Sequence, residues 1–83
     1  MTSKTRGYSY DIVKRIEAAD QSLPTVRLGM MCIAKDISVT EVAAATGVSR
    51  QCVYAWFTGK FKPRHQQLKK VEQLLAEYSA LPL

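Results

Sequence analysis

Arg50, Gln51 and Tyr54 stand close together in the run T-G-V-S-R-Q-C-V-Y-A-W-F-T-G-K (46–60). An arginine guanidinium and a glutamine amide each offer paired hydrogen-bonding atoms, which match guanine and adenine edges in the major groove of duplex DNA. Tyr54 adds a hydroxyl that can bond a phosphate and a ring that can rest on a thymine methyl. Projected at about 100° per residue, Arg50, Gln51, Tyr54, Ala55 and Thr58 fall on one side of a helix, and Val53 and Trp56 on the other, with Cys52 beside them. Such a helix is anchored on one face and presents two-pronged groups on the other, and Ala55 is small enough to let it sit deep. Other chemistries lack their parts. Cys32, Cys52 and His65 form no C-x-x-C and no set of four ligands, so no zinc site or other metal is expected. No Ser/His/Asp or Cys/His set has supporting context, so no catalytic residue, enzyme activity, cofactor or small-molecule ligand is expected.

The charge pattern agrees with a polyanionic partner. Net charge is +5, and between Glu41 and Glu72 there is no acid at all. The same interval holds Arg50, Lys60, Lys62, Arg64, Lys69 and Lys70. A one-sign field of this kind suits nucleic acid. Lys69 and Lys70 sit where a solvated helix face would carry them. No stretch approaches the roughly 20 apolar residues of a membrane span, and the N-terminus lacks the apolar core of a signal peptide. A cytoplasmic, nucleoid-associated protein of a bacterial or phage-infected cell is expected, with the cysteines reduced.

The elements that must position the base-facing helix are legible from periodicity and caps. With 83 residues and 47% apolar content, the chain is near the lower limit for a self-sufficient core. Residues 1–8 are polar and expected to fray. A first helix starts near Ser9, and Ile12, Val13, Ile16 and Ala19 share its inner face. Pro24 suits the first turn of a second helix, about 24–36. That helix is apolar nearly all round: Val26, Met30 and Ile33 on one side, Leu28, Met31 and Cys32 on the other. It must be covered on both faces, and Gly29 at its middle, which costs helix stability, is either tolerated strain or the mark of a close helix crossing. Ser38 or Thr40 caps a short third helix ended by Gly47; Ser49 caps a fourth, ended by Gly59. A final helix spans about 65–78, with Leu68, Val71, Leu74, Leu75 and Tyr78 as its stripe. No strand is predicted. The fold class is all-α: a bundle of about five helices whose third and fourth form a helix-turn-helix, with an added N-terminal helix. Residues 1–23 make the arm and extra helix, and 24–83 the helix-turn-helix domain, in one compact unit.

The spacing through 43–56 meets what a helix-turn-helix needs. Ala43 is small where the second helix crosses. Gly47 tolerates positive φ in the turn. Val48 plugs the core, and Val53 and Trp56 anchor the second helix. With Val39, Val42, Ser49 and Gly59, these residues resemble the Cro/CI type of helix-turn-helix, also called lambda-repressor-like or xenobiotic-response-element-type. G-K-F-K-P (59–63) is similar to the G-K-x-x-P that often follows the recognition helix in that family. The resemblance covers residues 24–79, about two-thirds of the chain.

That resemblance implies a sequence-specific double-stranded DNA-binding transcriptional regulator, a small phage or bacterial repressor that binds a pseudo-palindromic operator as a homodimer. It places Ser49, Arg50, Gln51, Tyr54, Ala55 and Thr58 toward the bases, and Thr40, Lys60, Lys62 and Arg64 on phosphates. Thr46 departs from it, since a bulky apolar residue is usual there, and the core is expected to be weaker at that point. The helix at 9–20 is outside it. The apolar C-terminal residues Leu74, Leu75, Tyr78 and Leu81 offer a dimer interface, with the first helix as a rival. The alternative is a helix-turn-helix used as a protein-interaction module, with the second and first helices as the working surface and a protein partner in place of DNA, or one used in DNA packaging or recombination.

Overall fold

Three serines start three of the helices. Their side-chain oxygens accept the amide three residues on: Ser9 from Ile12 at 3.2 Å, Ser38 from Glu41 at 3.1 Å and Ser49 from Cys52 at 3.1 Å. Each such cap is worth about 1 kcal/mol. In the computed structural model, which describes residues 8–81, the helices are α1 (Tyr10–Ala18), α2 (Pro24–Ala34), α3 (Val39–Thr46), α4 (Arg50–Phe57) and α5 (His65–Ser79). Of the two candidate caps for α3, Ser38 takes the role and Thr40 becomes the second residue of the helix.

The stops are equally local. Gly47 and Gly59 take φ of 77° and 78°, the left-handed region open to glycine. After α4 the amide of Lys60 reaches the Ala55 carbonyl at 2.9 Å and that of Gly59 reaches Trp56 at 3.1 Å, the paired bonds of a Schellman turn. Asp36 closes α2 in the same way, with φ of 60° and the Ile37 amide on the Cys32 carbonyl at 2.8 Å. The helix therefore ends at Ala34, two residues before the expected end, because Lys35 and Asp36 form its cap.

α2 runs through the middle and packs against α5, α4 and α1. This is why it is apolar on both sides: Val26, Leu28 and Cys32 are fully buried, and Met30, Met31 and Ile33 pack partly buried against the same core. The close approach expected at Gly29 is there, and it is made by a ring. A Cβ at Gly29 would lie 2.8 Å from Cγ of Phe57, the last residue of α4. Phe57 is itself fully buried. It extends the inward pair Val53 and Trp56 by one residue, the ordinary i, i+3, i+4 spacing of a buried helix face.

Tyr8 overturns part of the expectation for the N-terminal arm. Residues 1–7 lie outside the described part, but Tyr8 is 2% exposed and belongs to the core. Its hydroxyl donates to the Ile37 carbonyl at 2.8 Å, and its ring stacks on Phe57 with centroids 6.5 Å apart. Ile16 of α1 is also fully buried in this core. Thr46 is buried as well, and its hydroxyl donates to the Val42 carbonyl at 2.8 Å. The polar atom is thereby satisfied within its own helix, so the departure at this position leaves no unpaired group.

The C-terminal stripe divides. Leu74 and Tyr78 are both 7% exposed within the single chain, so they serve the intramolecular core and have little surface left to offer a partner. Leu75 is half-buried against that core, while Leu81 is 46% exposed. Lys35 donates its ammonium to the Leu81 carbonyl and ties the segment after α5 to the end of α2.

Candidate nucleic-acid interface

α4 has only eight residues. Helices that short do not persist alone in water, so its presence depends on its caps and its buried face. Val53, Trp56 and Phe57 are at most 1% exposed. Burying each such side chain stabilises by roughly 1.5–3 kcal/mol. These anchors fix the rotation of the helix, and with it the direction of everything on the other side. α3 packs across α4. Ala43 and Val48 are partly buried against the core, and the left-handed Gly47 makes the turn between the helices. No atom would crowd a Cβ at Gly47, so its backbone conformation alone favours glycine there.

The outward row splits into two halves. Ser49, Arg50 and Gln51, at the start of α4, are exposed. The Ser49 oxygen accepts from the Cys52 amide, which leaves its hydroxyl hydrogen for another acceptor. Tyr54, Ala55 and Thr58 are half-buried. The Thr58 hydroxyl donates to the Tyr54 carbonyl at 2.8 Å, so it has an acceptor lone pair and a methyl group left to present, and no hydrogen for a phosphate. Tyr54 packs partly buried against the core. α1 stands alongside: Ile12 and Arg15 line one open hollow together with Gln51, Tyr54, Ala55, Thr58, Lys60 and Phe61.

The cations expected on phosphates do not form one cluster. Thr40, Lys60, Lys62 and Arg64 are all exposed. Lys60 borders the hollow beside α4. Lys62 instead lines a separate hollow with Leu23, Pro24, Thr25, Pro63 and Leu68, at the start of α2. Its charge is also felt by Asp20. The Asp20 carboxylate accepts from the Ser22 hydroxyl at 2.6 Å and the Ser22 amide at 3.0 Å, and these bonds, with a smaller contribution from Lys62, hold it below the ordinary carboxylate range. Arg64 is the N-cap residue of α5, with no side-chain capping bond.

Among the described residues no group of His, Cys, Asp and Glu could hold a metal ion, and no described helix is long and apolar enough to cross a membrane. Cys32 is buried and Cys52 half-buried, and neither is in a disulfide. Burial pushes the Cys32 thiol up to about 12, which keeps it protonated and unreactive at neutral pH.

Two short capped helices, a left-handed glycine between them and exposed polar groups at the start of the second define a helix-turn-helix protein. The comparison with family models agrees: a helix-turn-helix model matches residues 30–80, more than half of the chain. The chain belongs to this family of Cro/CI-type helix-turn-helix proteins, a family of DNA-binding regulators. The match begins inside α2 and leaves α1 outside it. No curated protein and no solved structure matched the chain in the corresponding comparisons.

Proposed function

We propose that this chain is a sequence-specific regulator of transcription that inserts α4 into the major groove of double-stranded DNA. The observation that carries this reading is the exposure of Ser49, Arg50 and Gln51 at the start of a helix whose opposite face is fully buried. The N-terminal end of a recognition helix is where base edges are met. Arg50 takes guanine and Gln51 adenine, each through paired hydrogen bonds. Thr40, Lys60 and Arg64 supply phosphate contacts, and therefore affinity without sequence preference. The proposed unit is a homodimer on a pseudo-palindromic operator, acting as a repressor, with Leu75 and Leu81 rather than Leu74 and Tyr78 at the contact between copies.

A protein-interaction role draws less support. Its working surface would be α2 and α1, and α2 is covered by three other helices, which leaves only α1 to offer.

Selection from random duplexes, followed by footprinting, tests the DNA reading directly. A symmetric, repeated half-site supports it, and recovery of no enriched sequence refutes it. On the selected site, Arg50→Ala should cost about 1–3 kcal/mol and relax preference at one base position. Unchanged affinity would remove Arg50 from the base-reading set.

A further inference from the structure

The helix outside the family match, α1, borders a hollow beside the outward face of α4. A helix with its side chains is about 10–12 Å across and the major groove about 12 Å wide. A seated α4 fills that groove, so an element flanking its outward face meets one of the two sugar–phosphate strands. α1 is that element, and Arg15 is its one cation bordering the hollow shared with α4. Arg15 borders a second hollow too, again with Thr58 and Lys60. Two cations from different segments of the chain therefore line the same two hollows as Thr58, whose own hydrogen is already given to Tyr54. Gln51 and Tyr54 also line the first hollow, but in the second only the two cations have side-chain hydrogens left for an anion. The planar guanidinium fork of arginine matches a phosphate through two parallel bonds.

One acidic group opposes them. Asp11 pairs with Arg15 one turn away at 3.3 Å, and both side chains are largely exposed. Exposed pairs of this kind hold weakly. A phosphate, also charged and better matched to the fork, can take the arginine, while Asp11 repels the approaching strand. Lys14, the neighbouring cation, lies over the Tyr10 ring at 5.4 Å from its centre and borders neither hollow.

We propose that Arg15 and Lys60 together hold one backbone phosphate of duplex DNA, so that α1 is part of the DNA interface, and that Asp11 restrains this contact in the free protein. The proposal rests on the DNA-binding reading above. It gives the added helix a function: it lengthens the phosphate contact set and leaves sequence choice to Ser49, Arg50 and Gln51.

The test is fluorescence anisotropy of a mixed-sequence labelled duplex at several salt concentrations. The wild type is compared with Arg15→Ala, Arg15→Lys, Asp11→Asn and Lys14→Ala, each first checked for unchanged melting. Arg15→Ala should weaken binding and reduce the slope of log affinity against log salt by about 0.9. Arg15→Lys should keep the slope, and Asp11→Asn should tighten binding. Lys14→Ala should leave the slope as it is. An unchanged slope in Arg15→Ala, or an equal loss in Lys14→Ala, would overturn the contact while leaving the DNA reading in place. A wild type with no salt-dependent binding would overturn that reading, and the proposal with it.

Discussion

Substituting alanine for Gly29 sets two principles against each other, and their magnitudes give the sign. In the middle of a helix, alanine is favoured over glycine by about 1 kcal/mol. Packing opposes it. The new methyl would lie 2.8 Å from Cγ of Phe57, 3.0 Å from its Cβ and 3.2 Å from Cδ1, where ordinary contact begins near 3.4 Å. The ring has no free side to move into, since Phe57 is fully buried and Tyr8 is stacked on it. Overpacking a filled core costs roughly 1–3 kcal/mol. The balance is a net loss of about 1 kcal/mol, or ~4–8 °C in melting temperature for a domain of this size. Thermal denaturation by circular dichroism and urea midpoints measure it. Gly29→Ser should lose more, because it brings a second heavy atom and less helical preference. Since Phe57 ends α4, the alanine variant should also bind DNA more weakly at temperatures where it is fully folded. A Gly29→Ala protein that melts at or above the wild type would show that the ring yields freely and that the crossing is not close-packed.

Two further outcomes concern the same core. Tyr8→Phe keeps the ring stack but removes the donor to the buried Ile37 carbonyl; it should lower unfolding free energy by about 1–3 kcal/mol, the cost of a buried polar group left unpaired, read from urea denaturation. Stability should also fall in alkali. Burial pushes Cys32 up to about 12 from 9.0, and Tyr78 up to about 12 from 10.0, chiefly by loss of hydration with nearby acidic groups adding to it; Tyr8 is raised in the same direction and also chiefly by burial. A group whose folded value is raised contributes stability in full below its unfolded value and loses it as pH climbs toward the folded one. Urea midpoints should therefore show no loss from these groups near neutrality and decline above pH 9, each group removing up to about 1.4 kcal/mol per pH unit in its window. Midpoints that hold steady through pH 11 would refute the burial of these groups.

The parts of the fold that follow local rules were legible in the sequence. Ser9 and Ser49 were readable as caps, Pro24 as a helix start, and Gly47 and Gly59 as turns, because each acts on amides or carbonyls within a few residues of itself. Gly29 was readable for a different reason: a glycine in a helix apolar all round implies something pressing on it, although the sequence did not say what. Tyr8 and Phe57 were missed because their partners are far along the chain. Signals existed in both cases, an aromatic just before a serine cap and an inward pair continued by one residue. The division of the outward face of α4 was not readable, since it depends on which elements come to lie around the helix, and no pattern within it encodes that. The same holds for Leu74 and Tyr78, whose apolar stripe fits a core and an interface equally well until the neighbouring helices are placed.

The bond from Tyr8 to Ile37 also constrains the order of events during synthesis. Tyr8 leaves the ribosome early, yet its carbonyl partner follows 29 residues later, and the ring it stacks on is Phe57. α2 must wait as well, since α5, against which it packs, is made after α3 and α4. No nascent fragment ending before α5 can cover the face of α2 that meets α5. Such a fragment leaves that face of α2 open to whatever chaperones attend the exit tunnel.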